Sequence, residues 1–199
     1  MSETSRADVD DASIIERSRR EPEAFAELFR RYAVDITRYV TRRLGSDAAD
    51  DVGAETFLTA FRQRDGYDRS RPNARPWLYG IATNLMGRYV RAEVRQLRVL
   101  ERTGVDPVME PFTERSDERL TAEASSRRLA GALRALPRGH RDALLLVAWG
   151  GLSYPEAAEA LGVRLGTVRS RISRARDKLR KELGGIDPMT TVSKESVYE

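Results

Sequence analysis

GLSYPEAAEALGVRLGTVRSRISRARDKLRK, residues 151–181, carries two helix signatures joined at a glycine. Ser153 and Glu156 form a capping box, in which each side chain satisfies a free backbone N–H at a helix start. Pro155 is tolerated in that first turn because no intrahelical donor is lost there. Ala157, Ala158 and Leu161 give the short helix an apolar side, and Gly162 supplies a left-handed residue to end it. A second helix is predicted to start near Gly166 or Thr167. Ala158, Gly162 and Val168 then have the small, turn and apolar spacing of a helix-turn-helix.

At about 100° per residue the second helix sorts its side chains by face. Val168, Ile172, Ala175 and Leu179 share the side expected to be core, while Arg169, Ser170, Ser173, Arg174 and Asp177 occupy the other. Such a face suits a major groove, where Arg binds guanine in bidentate fashion and Ser is adaptable. Arg164, Arg171, Arg176, Lys178, Arg180 and Lys181 surround it and suit phosphates, which supply affinity more than specificity. A solvated basic helix in a bundle is the alternative. The capped helix and turn glycine ahead of it favour DNA.

The whole chain bounds the classes. Its 199 residues suffice for one ordinary domain or two small ones, and the punctuation favours two. Net charge is only +4 although 33% of residues are charged, so the local basic face near the C-terminus is what points to nucleic acid. With no Cys, disulfides and thiolate metal sites are excluded. No apolar run approaches the ~20 residues that span a bilayer, and the polar, acidic start is unlike a signal peptide. A soluble, cytoplasmic protein without membrane contact is expected. No metal-ligand spacing, phosphate-cradling Gly loop or nucleophile–base pair accompanies His140, the single histidine, so neither catalysis nor a cofactor is expected.

In chain order, residues 1–10 read as a disordered tail. A short helix is predicted over 12–19. Pro22 opens a longer one ending near Leu44, with Gly45 beyond it. Phe25, Leu28, Phe29, Tyr32, Ile36, Tyr39 and Val40 recur in it at helical spacing and are mostly core. Asp47 is the expected cap of a helix over 48–64, whose first turn holds Asp50 and Asp51, with Glu55 a turn later. The helix dipole favours such acids by about 0.3–1 kcal/mol each. They also suit docking of a basic partner, and the residues alone leave both readings open.

DGYDRSRPNAR, 65–75, is a loop by its Gly, Pro, Asn and Ser content. It delivers the chain into a helix from Pro76 to Arg95, with Leu78, Ile81, Ala82, Leu85, Tyr89 and Ala92 on one side. Trp77, Asn84, Arg88, Arg91 and Arg95 line an adjacent side. An aromatic, an amide and a basic stripe beside a loop suit single-stranded bases and their phosphates; a core Trp with solvated arginines is the competing reading. Residues 96–120, with Gly104, Pro107, Pro111 and an acidic second half, read as the linker. Helices over 121–136, through Leu129, Leu133 and Leu136, and from Pro137 to the Gly150-Gly151 stop, with Leu144, Val147 and Ala148 inward, complete a second domain over 121–183. Residues 184–199 are expected to fray. The fold class is all-α: two small helical domains, over 11–95 and 121–183, joined by a flexible linker, the second containing the helix-turn-helix.

Three separate stretches, in this order and spacing, match one family. ADDVGAETFLTAF (49–61), RPWLYGIATN (75–84) and GTVRSRISRARDKLR (166–180) resemble the polymerase-docking helix, the promoter-melting segment and the upstream-element reader of a bacterial RNA polymerase sigma factor of the extracytoplasmic-function, or group IV, type. That resemblance implies a transcription initiation factor bound to core polymerase through its clamp coiled coil and flap. It would read the −35 element as duplex and the −10 element as melted single strand. Asp50, Asp51 and Glu55 would face the clamp. The loop carrying Tyr67, Asp68, Arg69 and Asn73 would capture a flipped base, with Trp77, Asn84, Arg88 and Arg91 along the melted strand; extruding a base costs a few kcal/mol that contacts must repay. Arg169, Ser170, Ser173 and Arg174 would read the −35 element, with Thr167, Arg171, Arg176 and Lys178 near phosphate. The acidic linker would imitate nucleic acid in the RNA path. Many members are held by an anti-sigma factor. Ala54 stands where members commonly have Gln, and Ser173 where another reader is common, so no −35 consensus is borrowed. A stand-alone helix-turn-helix regulator is the alternative; it needs a dimer interface to space two reading helices, and no extra dimerisation helix is evident.

Overall fold

A computed structural model describes residues 10–103 and 128–183, and every regular element in them is a helix. The expected tails, the acidic linker beyond Thr103 and the start of the 121–136 helix lie outside those residues. The chain divides into two compact units, the main division falling after Arg91.

The first unit opens with α1, Asp11–Arg17, capped by Asp10, whose carboxylate accepts from the Ser13 N–H at 2.7 Å. Pro22 starts a 3₁₀ turn to Phe25, which leads into α2, Ala26–Leu44. Gly45 follows α2 with φ 89, a backbone position only glycine occupies freely. Helix α3, Ala49–Gln63, comes next. Asp47 does not cap it: the carboxylate accepts from the Ser46 hydroxyl, and Ala48 at the cap position has no side-chain bond to give. A long α4, Arg75–Thr103, crosses the main division. It continues past Arg95, where the sequence predicts a linker. Residues 96–103 contain no Gly or Pro, so nothing local stops the helix before Gly104.

Ile14, Ile15, Leu28, Ile36, Tyr39, Val40, Leu78, Tyr79 and Met86 fill this unit's core. Each such side chain contributes roughly 1.5–3 kcal/mol over its exposed state. The Tyr39 ring packs on Tyr79 at a 51° tilt with centroids 5.1 Å apart, and its buried hydroxyl meets Thr83 Oγ1 at 3.3 Å. Phe29 departs from the expected stripe: half its surface is exposed, and it touches Phe57 edge-on at 4.9 Å. On α4, Tyr89 is exposed and Leu85 half-buried, whereas Tyr79, Thr83 and Met86 are buried. Leu78, Ile81 and Ala82 are buried as expected, and beyond them Met86 takes the inward place given to Leu85 and Tyr89.

After the linker the described part of α5 covers 128–134, followed by α6, Arg138–Ala148, α7, Tyr154–Leu161, and α8, Leu165–Glu182. These belong to the second unit except Glu159–Gly162, which group with the first. Leu133, Leu136, Leu144, Leu145, Leu146, Leu152 and Ala157 pack with Val168, Ile172, Ala175 and Leu179. Val147 and Ala148, expected inward, are only half-buried; Ala143, Leu145 and Leu146 take that place. The capping box forms as read: the Ser153 N–H donates to Glu156 Oε2 at 2.7 Å and the Glu156 N–H to Ser153 Oγ at 3.3 Å. Gly162, at φ 61, makes the turn between α7 and α8. Ser153→Ala is expected to lower stability by about 1 kcal/mol, read as a fall in the denaturant midpoint at unchanged slope.

Candidate nucleic-acid interface

Burial settles the orientation of α8. Val168, Ile172, Ala175 and Leu179 are each no more than 1% exposed, while Arg169, Ser170, Ser173 and Arg174 all face solvent. Ser170 Oγ donates to the Thr167 carbonyl at 3.0 Å; Arg169, Ser173 and Arg174 have no hydrogen-bond or ion-pair partner among the described residues. The first acid on this strip is Asp177, a full turn toward the C-terminus, where it pairs with Arg180 at 3.5 Å. Long cationic side chains are thus left free on a convex helical face.

The flanking cations divide. Thr167 and Arg176 are half-buried beside the strip. The Arg171 guanidinium lies against Gly139 at the start of α6, where an added Cβ would approach Arg171 Cζ to 3.1 Å. Lys178, expected at phosphate, donates instead to the Ala135 carbonyl at 2.8 Å. It satisfies a free carbonyl past the end of α5, a role basic residues commonly take.

In the first unit a second surface gathers around the 65–75 loop. Tyr67 is buried, its hydroxyl donating to the Arg71 carbonyl at 2.8 Å and its ring packing on Trp77 at 4.9 Å with a 56° tilt. Burial pushes the Tyr67 phenol pKa up, so it stays a neutral donor. This ring braces the loop and does not project from it. Asp68 is exposed and folds the loop on itself, accepting from the Ser70 hydroxyl at 2.7 Å, the Ser70 N–H at 3.1 Å and Arg71 Nε at 3.0 Å. The Ser70 bonds hold its carboxyl below the usual range. Arg69 pairs with Glu16 at 2.9 Å, and Asn73 accepts from the Arg75 N–H at 2.9 Å, capping α4. Trp77 is half-buried; Asn84, Arg88, Arg91 and Arg95 are exposed along α4. The structure brings the loop and Trp77 together and runs the basic stripe away from them.

Asp50 and Asp51 are exposed in the first turn of α3, and Glu55 lies near Arg62 at 3.6 Å. On the same outward side are Ala54 and Leu58, the latter 49% exposed. An acidic helical face with an apolar centre results. The carboxylate the sequence reading passed over is Asp11, buried at the foot of the 65–75 loop. Only its place beside the capping Asp10 hints at structure there; its partners lie 20 to 63 residues away.

Residues 28–96 match the family model of Sigma-70 region 2, and residues 126–179 that of Sigma-70, region 4. The sigma factor CnrH of Cupriavidus metallidurans is 36% identical over 166 residues, covering 78% of this chain and 84% of the relative. The chain belongs to the extracytoplasmic-function sigma factors.

The ECF sigma factor SigE of Mycolicibacterium smegmatis is 38% identical over 162 residues, which are 79% of this chain and 60% of that relative. Among solved structures, CnrH in complex with the cytosolic domain of CnrY matches at a TM-score of 0.60 with 30% identity, over 87% of this chain and 97% of that one. The sigma factor RpoE of Bartonella quintana, in complex with the anti-sigma factor NepR, matches at 0.56 with 25% identity, over 81% and 98%. This sigma factor binds core RNA polymerase and directs it to specific promoters. A region 2 ahead of the helix-turn-helix disfavours a stand-alone regulator. No helix among the described residues is long and apolar enough to cross a membrane.

Proposed function

We propose that the sigma factor divides promoter recognition between its two units. The strip Arg169, Ser170, Ser173 and Arg174 reads the −35 element in the major groove, with Thr167, Arg171 and Arg176 at its phosphates. Asp68, Arg69 and Asn73 on the loop rim, with Trp77, Asn84, Arg88 and Arg91, hold the melted −10 strand. Tyr67 serves as the platform under Trp77. Asp50, Asp51 and Glu55, around Leu58, dock on the basic clamp of polymerase. The sidedness of α8, apolar within and cationic without, carries this reading.

Transcription with core polymerase on a promoter library randomised at both elements tests it. Enrichment of defined bases at two positions a fixed distance apart supports the division, and enrichment at only one contradicts it. Trp77→Ala removes the ring that packs on Tyr67 and the face offered to a base, each stacked base being worth about 1–3 kcal/mol. Opening is therefore expected to fall at least about fivefold with closed-complex binding kept, read as permanganate reactivity of the bubble thymines. Unchanged reactivity contradicts the role. By analogy with the two relatives solved in complexes, a proteinaceous inhibitor is proposed as a further partner in the cytoplasm, and the factor is proposed to have no catalytic activity of its own.

A further inference from the structure

Asp11 precedes the stretch that matches region 2 and belongs to none of the surfaces above. Its side chain is 3% exposed, and a buried carboxylate persists only where it is paired and hydrogen-bonded. Oδ1 accepts from Arg31 Nη1 at 2.9 Å. Oδ2 accepts from the Tyr32 hydroxyl at 2.6 Å and from the Ala74 N–H at 2.8 Å. The Asp11 N–H in turn donates to the Pro72 carbonyl at 3.0 Å.

Pro72 and Ala74 flank Asn73, so this one residue holds the backbone on both sides of it. The Tyr32 hydroxyl also lies 3.4 Å from Asn73 Oδ1. At the other end the loop is braced by Tyr67, through the Arg71 carbonyl and the Trp77 ring. Between the two anchors Asp68, Arg69, Ser70 and Asn73 are all exposed. A loop tied at each end presents its rim in one conformation, which lowers the ordering cost when a base is bound.

Both oxygens of Asp11 are acceptors: Oδ1 faces Arg31 on α2, and Oδ2 faces Tyr32 on α2 and Ala74 just ahead of α4. An amide offers one oxygen only, so Asp11→Asn must set an N–H₂ against either Arg31 or the Tyr32 and Ala74 donors. Tyr32→Phe removes a single donor and leaves the Arg31 pair and the Ala74 bond in place.

We propose that Asp11 is a positioning residue for strand capture: through Pro72, Ala74 and Tyr32 it holds the 66–73 loop in the shape that accepts the −10 single strand. The proposal rests on the assignment of that loop to the −10 strand. It is tested with holoenzyme assembled from the full chain and core polymerase. The probe is a labelled single-stranded oligonucleotide spanning the non-template −10 region of a promoter the wild type uses, alongside a scrambled one.

Asp11→Asn is expected to weaken binding of the matched oligonucleotide about tenfold, the effect of losing a charge-assisted buried hydrogen bond, and to narrow its margin over the scrambled one. Tyr32→Phe is expected to weaken it about threefold. Affinity for core polymerase stays within twofold of wild type in both, an outcome general unfolding does not give. Oligonucleotide binding unchanged in Asp11→Asn overturns the proposal, as does a parallel loss of polymerase affinity. If Asp11→Asn does not fold, Tyr32→Phe decides by the same criteria. Trp77→Ala is the control: if it leaves binding intact, the loop assignment fails and the proposal with it. If Trp77→Ala weakens binding and Asp11→Asn does not, only the role of Asp11 falls.

Discussion

A chain carrying Asp50→Lys and Asp51→Lys is expected to lose association with core polymerase, its affinity falling about a hundredfold or more. Both residues are exposed at the start of α3 with no ion-pair partner among the described residues, so their charge is free to face a basic partner. Each reversal exchanges an attraction for a repulsion, and like charges juxtaposed across an interface cost several kcal/mol. The acids also complement the α3 dipole, so reversal costs the fold about 1–2 kcal/mol in total. The two effects separate experimentally. Asp50→Asn with Asp51→Asn loses the attraction alone and should weaken association about tenfold, with most of the thermal stability kept. Co-purification and surface-immobilised polymerase measure the first effect, and circular dichroism melting the second. Normal co-purification of the double Lys variant removes the docking face.

Arg174→Ala is expected to cut transcription about 10- to 100-fold on promoters carrying the preferred base pair opposite it, and hardly at all on promoters lacking that pair. A bidentate Arg–guanine contact is worth about 1–3 kcal/mol of discrimination. Arg174 is exposed and engaged by no neighbour among the described residues, so its removal is expected to leave the fold intact. Lys178→Ala behaves differently, because Lys178 bonds the Ala135 carbonyl. It lowers stability modestly and affects all promoters alike. An equal loss on every promoter for Arg174→Ala means that Arg174 holds phosphate and does not read sequence.

What was legible in the sequence was what depends on neighbours along the chain. The capping box at Ser153 and Glu156, the turn at Gly162 and the two faces of α8 all rest on residues within a turn or two of one another, and each appears as read. Ends and inward faces were less legible, because packing overrides local preference. Asp47 has cap chemistry, yet Ala48 takes the position. Helix α4 runs past Arg95 because residues 96–103 are mostly helix formers with no Gly or Pro, a local signal outweighed in the reading by the acidic, Pro-containing stretch after them. The candidate site divides in the same way. Its exposed members, Arg169, Arg174, Asn84 and Arg88, follow from helical spacing, whereas Tyr67 and Lys178 read as ligand contacts until their hydroxyl and ammonium are seen bonded to backbone. Asp11 left little signal beyond its place beside Asp10, since its bonding partners lie on α2 and before α4.

The central claim is that duplex reading and strand capture are performed by separate units and act only when polymerase carries both. It is tested most directly by measuring promoter affinity and −10 permanganate reactivity for the chain alone and for the chain with core polymerase. The account predicts weak, salt-sensitive binding without opening for the chain alone, and tight, sequence-selective binding with an open −10 region once polymerase is added. Full-affinity, sequence-selective binding by the chain alone, unchanged by polymerase, contradicts it.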